Sequence, residues 1–472
     1  MTQTIQRKLN DSAFARWSAL LLISLMMFFA YMFVDILSPM KENLESAPLF
    51  WNSTTYGTYG ASEYFLNVFF FFLIFAGIIL DKMGIRFTGL LSASLMVIGA
   101  GIKFYAVSDS FAESELCQTM TSWGIFDLPG TALLACVGFM IFGCGCEMAG
   151  TTVSKAIAKW FKGKEMAMAM GLEMSIARLG VFAAMWLSPI VYNAGGKEVS
   201  APVLFGTILL MIGLIFYFVF CVMDRKFDKQ LQASGELSEE ASEEEFKFSD
   251  LKNIFKSKMF WLVALMCVLY YSAIFPFQKF APDFLAKTLK VDSDTGAQLF
   301  SCFPILAMCL TPFLGGFIDR KGKAASMLMV GSIIMIACHL CFAFLLPAFP
   351  SEGLAIAIIA ILGVSFSLVP AALWPSVPKI MDKRYLGSAY SLIFWVQNFG
   401  LSGTPMLIGW ALEKTNPGVA EQIAAGVEGA TYNYTVPMLL FASLGVLALL
   451  FALWLKADDA RNHYGLEQPN IK

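Results

Sequence analysis

The sequence predicts an all-α membrane protein whose twelve transmembrane helices fall into two halves of six. Three observations carry that prediction. Of the 472 residues, 58% are hydrophobic and only 14% charged, with a mean hydropathy of +0.67; soluble chains average roughly 45–50% apolar and about 25% charged residues. Thirteen stretches of at least 16 residues contain no Asp, Glu, Lys or Arg, and a membrane helix needs about 20 mostly apolar residues. A string of Gly, Asp and basic residues also recurs at matching places in the two halves, 238 residues apart.

The same composition argues against other classes. A net charge of −2 gives no strong field for nucleic acid. The ten Cys, with only two His, sit mostly in apolar runs, where a thiol is a small hydrophobe. No metal, cofactor or disulfide scaffold is expected, and no nucleophile–base pair suggests an enzyme.

In chain order the charge-free stretches are 17–34, 46–62, 64–80, 87–102, 128–146, 179–196, 199–223, 259–278, 295–318, 324–351, 353–378, 385–412 and 429–455. The second reads SAPLFWNSTTYGTYGAS, polar and turn-rich, and is expected to be mostly loop. The other twelve read as helices, the shorter ones extending past a bordering charge such as Glu63 or Lys103. Residues 1–16 are hydrophilic and the run after them lacks a small-residue cleavage site, so no cleaved signal is expected.

Basic residues orient such a chain. Eleven lie in the loops placed inside: Lys82, Arg86, Lys159, Lys162, Lys164, Arg320, Lys321, Lys323, Lys379, Lys383 and Arg384. Five lie opposite: Lys41, Lys197, Lys287, Lys290 and Lys414. Both termini are therefore expected in the cytoplasm. The halves are residues 1–223 and 259–456, joined by a linker over 224–258 and followed by a tail over 457–472. Within the linker, ELSEEASEEE carries six Glu in ten residues, a self-repelling run expected to be disordered. Residues 246–260 place Phe248, Leu251 and Phe255 at helical spacing among lysines, as in a helix lying on the membrane surface.

The repeated string is Gly77-x-x-x-Asp81-Lys82-x-Gly84-x-Arg86 after the second helix and Gly315-x-x-x-Asp319-Arg320-x-Gly322 after the eighth. It resembles the loop motif of the major facilitator superfamily. That resemblance implies two six-helix bundles around a central cavity that opens alternately to each side. In physical terms, Gly77 and Gly315 would permit close helix approach, and each Asp would bond helix amides and a neighbouring base, latching the halves when the cytoplasmic side is shut.

Ionisable groups inside spans default to functional hypotheses. Here they are Asp35, Glu63, Glu147, Lys155, Glu173, Arg178, Lys279 and Asp283, with His339 the one intramembrane His. Glu147 follows nineteen uncharged residues and stands among Gly143, Gly145 and Gly150, which leave room for a helix or a ligand. Arg178 lies in the fifth helix. A lone mid-bilayer charge costs about 2.5–3.5 kcal/mol on insertion scales, so both must face each other, water or a ligand. Asp35 and Glu63 read equally as border or pore residues, Glu173 as a residue that orients Arg178, and His339 as a core side chain. Prolines bend the seventh and tenth helices beside Tyr271 and Trp374, and the eleventh carries Gln397 and Asn398, a common arrangement beside a cavity.

The stretches 147–180, 260–277 and 372–400 resemble, in order, the lysosomal dipeptide uniporter branch of the superfamily. In that branch a Glu and an Arg at this 31-residue spacing hold the two ends of a dipeptide, which maps onto Glu147 and Arg178. Trp374, Tyr271, Gln397 and Asn398 are further candidates for cargo contact. The resemblance thus implies a dipeptide uniporter working by alternating access, functional as a monomer, with membrane lipid and a small zwitterion as its partners. The acidic dileucine signal of animal members is missing from residues 1–16, so a cell or inner membrane is expected rather than the lysosome. The accessory subunit of those members finds no support in the sequence. Asn52-Ser-Thr and Asn433-Tyr-Thr are matches to glycosylation sequons. The alternatives are a nitrate-type or carboxylate anion carrier, whose arginines in the second and eighth helices are missing, and a non-transporting nutrient sensor with the acidic linker as its docking segment.

Overall fold

The computed structural model describes residues 8–162, 164–233, 251–381, 386–427 and 429–469. Among these residues the only regular structure is helical. The main elements are α1 (Ala13–Val34), α2 (Ser53–Ser62), α3 (Phe65–Phe69), α4 (Phe72–Ala106), α5 (Gly130–Trp160), α6 (Met166–Ala194) and α7 (Ser200–Ala233) in the first half. The second half holds α8 (Lys258–Leu289), α9 (Ser293–Phe300), α10 (Cys302–Lys321), α11 (Ala324–Leu340), α12 (Glu352–Ile380), α13 (Leu386–Thr415) and α14 (Thr435–Asn462).

Ten of the described helices are long and apolar enough to cross a membrane. The long α4 is interrupted at Gly84, whose φ of 74° and ψ of 172° are not helical. It therefore supplies the end of the second crossing and the whole third one. With α13 as the eleventh, the chain makes the expected twelve crossings.

The stretch 46–62 is a correction. It was expected to be loop, but Ser53–Ser62 is helix and almost wholly buried. Asn52 caps it by accepting the Thr55 amide at 2.8 Å. Its Ser, Thr, Tyr and Gly residues pack against α13 and α5 rather than lipid, so low hydropathy does not disqualify them. The second crossing thus runs through α2, α3 and the start of α4, broken around Tyr64 and again at Phe71, where φ is 54°.

The boundaries of the linker also shift. Helix α7 continues ten residues past 223 to Ala233 because Asp224 and Asp228 on its extension pair with Arg86 and Lys159. Helix α14 likewise passes 456 to reach Asn462. Of the surface helix expected over 246–260, Leu251–Lys256 is helical and buries Ile254. Phe255 stacks on Trp261 at 5.6 Å, which ties this piece to α8; Phe248 and the acidic run lie outside the described residues.

The repeated loop string is built differently from the expectation. A Cβ added at Gly77 or Gly315 would meet nothing within 4 Å, so neither glycine serves close packing. The glycines that matter are Gly84 and Gly322, with φ of 74° and 73°, the positive values that glycine adopts without strain. These equivalent turns, 238 residues apart, carry the internal repeat into the backbone.

Candidate substrate site between the two halves

The halves meet through α2 against α13 and through α6 against α9 and α10. The first contact is a glycine seam. A Cβ on Gly57 would lie 2.3 Å from the Pro405 carbonyl, and one on Gly409 would lie 2.2 Å from that of Ser53. The described polar contacts across the interface lie in its middle and at the end opposite the termini. There Lys41 pairs with Asp283 at 3.2 Å and with Glu45 at 2.6 Å. Lys279 pairs with Glu63 at 3.1 Å, Gln278 donates to Asp35, and Tyr56 donates to the Lys279 carbonyl at 2.9 Å. Glu42 binds Lys287 and Ser293, and Asn193 donates to Asp294.

At the terminal end the loop motif works within its own half. Asp81 pairs with Lys155 at 2.7 Å. Arg86 pairs with Asp224 at 2.9 Å and with Asp228, while Trp160 donates to Asp224. Lys82 and Arg320 are exposed, and Asp319 interacts electrostatically with Lys379. Among the described residues, the contacts of Asp81 and Arg86 stay within the first half and form no latch to the second. The Gly322 turn packs instead against the backbone of Glu467.

Arg178, half-buried on α6, reaches into the other half. It donates to Thr311 Oγ1 at 3.1 Å and to the Ala307 carbonyl at 3.4 Å, and its guanidinium lies 5.1 Å from the centre of the Phe366 ring. All three partners are neutral. Glu147 on α5 is also half-buried and makes no ion pair or hydrogen bond with any described residue. The two charges do not pair with each other. Tyr31 of α1 stands within electrostatic reach of Glu147, Glu173 and Arg178, which places all four groups around one region. Glu173 is buried and makes no bond to Arg178, so it does not orient that side chain by direct contact.

The glycines beside Glu147 divide by function. A Cβ on Gly143 would lie 2.0 Å from the Glu63 carbonyl, and one on Gly145 would lie 2.6 Å from that of Ser92; both serve helix packing. Gly150, with nothing within 4 Å, borders open space.

The second half brings aromatic residues to the same place. Trp374 Nε1 donates to the Tyr271 hydroxyl at 3.1 Å. Tyr271 stacks on Phe275 at 5.5 Å, Phe366 meets both rings edge-on, and Tyr271 interacts electrostatically with Arg178. Gln397 accepts from the Cys267 thiol, which joins α13 to α8, and Asn398 is buried with an amide nitrogen that has no partner among the described residues. His339 sits in an aromatic core, 5.2 Å from Phe277 and 5.3 Å from Phe441. Cys338 lies in α11 and Cys341 opens the π-helical turn that follows it, and no described group of His, Cys, Asp and Glu is arranged to hold a metal.

Sequence reasoning missed Lys41, Glu45, Thr311, Phe366 and the enclosed Lys103. The four-residue spacings of Lys41 with Glu45 and of Lys279 with Asp283 were a usable signal, since each puts opposite charges on one helical face. Thr311 and Phe366 carry no such signal.

The sequence model described as Major Facilitator Superfamily matches residues 19–405. The chain belongs to the major facilitator superfamily. It is therefore a multi-pass membrane protein. It is 29% identical to the lysosomal dipeptide transporter MFSD1 of Gallus gallus over 59% of this chain and 62% of that one. The Homo sapiens protein of the same name is 26% identical over 58% of each chain. The chain thus spans about three-fifths of the length of these relatives. Among solved structures, the nucleoside transporter NupG superposes with a TM-score of 0.68 at 13% identity, covering 93% of this chain and 99% of that one. A bacterial homologue of the human lysosomal transporter Spinster gives 0.65 at 12% identity, covering 95% and 98%. These last two likenesses establish the fold alone.

Proposed function

We propose that this superfamily member carries dipeptide-like zwitterions by alternating access, with Arg178 receiving the cargo carboxylate and Glu147 its ammonium. The observation that carries this reading is that these two opposite charges stand without counter-ions around Tyr31, while Lys41, Glu45, Glu63, Lys279 and Asp283 nearby are paired. A transmembrane charge left unpaired is costly, and a zwitterion supplies both missing partners at once. The charged ends of an extended dipeptide lie on the order of 6 Å apart. Arg presents a flat two-pronged donor to a carboxylate. Recognition through the ends leaves the side chains to rest on Tyr271, Phe366 and Trp374. The likeness to MFSD1, a lysosomal dipeptide transporter, supports the substrate class.

The bias of basic residues supports both termini in the cytoplasm, and the missing dileucine signal favours a cell or inner membrane over the lysosome. The end closed by Lys41, Asp283 and the glycine seam is then the outer one, and the described conformation faces inward. The test is a thermal-stability screen of purified protein against dipeptides, free amino acids, sugars and nitrate. A ligand that binds only the folded protein raises its apparent stability. A shift with dipeptides is expected; a shift with nitrate and none with any dipeptide would contradict the substrate class.

A further inference from the structure

Lys103 of α4 is fully buried, and its amine has no hydrogen-bond partner among the described residues. Its Nζ lies 4.3 Å from the centre of the Phe33 ring, 4.4 Å from Phe139 and 5.1 Å from Tyr59. These rings come from α1, α5 and α2, so the cage belongs wholly to the first half. Phe139 is shared: the Nζ of Lys279, from the second half, lies 5.2 Å from the same ring. Lys279 holds Glu63 across the interface at 3.1 Å. The titratable and charged groups acting on Lys103 are Asp35 beyond α1, Tyr59 on α2, Glu63 after α2 and Lys279 on α8; from α5 it meets Phe139.

This arrangement has a consequence when the outer end opens. Lys279 departs with the second half, and Glu63 stays with the first. A buried carboxylate without a counter-ion is strongly unfavourable, and Lys103 is the nearby amine on the same half. In the closed form Lys279 occupies Glu63, and an ammonium at Lys103 would face another ammonium across one phenyl ring with no acceptor of its own.

We propose that Lys103 is a proton-binding site that couples a proton to opening of the outer end. The Lys103 amine takes up one proton from the outer side as Lys279 leaves, and its ammonium then neutralises Glu63. When the halves close, Lys279 reclaims Glu63 and the Lys103 nitrogen gives up that proton. Glu63 and Glu147 act on each other electrostatically, which continues the polar path from the cage toward the terminal end. One proton then enters per inward step, whereas the family resemblance implies uniport. The inference rests on alternating access, but not on the identity of the cargo.

The test measures the distance between spin labels at Glu198 and Lys290, two exposed outer-end positions on opposite halves. It uses full-length protein with accessible native cysteines replaced by Ser and with no substrate. In the otherwise wild-type background, acidification should lengthen the distance, the open-to-closed ratio rising by up to about tenfold per pH unit for one coupled proton. Lys103→Met should hold the short distance at every pH, and Lys103→Arg should favour the long distance throughout. The proposal is overturned if Lys103→Met keeps the full pH response, since Glu63 or Asp35 would then be the titrating group. It is equally overturned if the distance ignores pH in the otherwise wild-type protein. A pH-independent distance beside an intact dipeptide shift would sink this inference alone; a pH response without any dipeptide shift would sink the substrate reading alone.

Discussion

The seal at the end opposite the termini and the cleft beneath it belong to one interface but treat charge in opposite ways. In the seal, Lys41 holds two carboxylates and is fully buried, and Lys279 is matched to Glu63. In the cleft, Arg178 rests on a hydroxyl, a carbonyl and a ring, and Glu147 has no partner among the described residues. Buried ion pairs gain little net stability but are costly to break, which suits a contact that must form in one state and release in another. Unpaired charges are costly while they wait, which suits groups that a cargo completes. On the proposed function, the difference separates residues that hold a conformation from residues that would hold a ligand.

The sharpest way to break this contrast is to remove one charge from the seal. Lys41→Met leaves Glu45 and Asp283 buried without their cation, and should cost about 3–5 kcal/mol of stability in denaturation of the purified protein. Adding Glu45→Gln and Asp283→Asn should recover most of that loss. In the cleft the pattern should invert. Arg178→Ala and Glu147→Gln should each forfeit charge-assisted contacts of about 1.5–3 kcal/mol, a weakening of more than tenfold in dipeptide titrations. Without ligand, neither variant should be less stable than the wild type. Next comes the glycine seam: Gly409→Ala drives a methyl group toward the Ser53 carbonyl, and overpacking of this kind costs about 1–3 kcal/mol. The label distance across the outer end should lengthen. The smallest effect is expected at Phe366→Leu, which removes the ring beneath Arg178. A cation–π contact of about 0.5–2 kcal/mol corresponds to a weakening of a few-fold to some thirty-fold in the same titration.

Most crossings were legible because lipid-facing helices cannot carry charge, so their limits show as charge-free runs. Residues 53–62 were not legible because they face α13 and α5 instead of lipid, and small polar residues are what two closely crossing helices require. Glu147 and Arg178 stood out as charges inside apolar runs. The neutral partners of Arg178 did not, because Thr311 and Phe366 lie 133 and 188 positions further along the chain and meet Arg178 only when the halves dock. Lys41 read as an ordinary outer-loop cation and Lys103 as a border charge; only packing shows that both are enclosed. Gly77 and Gly315 looked like packing glycines from sequence, whereas the positive-φ turns that require glycine fall to Gly84 and Gly322.

The account stands most directly on where a bound dipeptide lies. A density map of the purified protein with dipeptide bound should show the cargo carboxylate within about 4 Å of the Arg178 guanidinium and the ammonium at the same range from Glu147. Cargo density seated apart from both side chains, or in place with its ends reversed, would contradict the assignment.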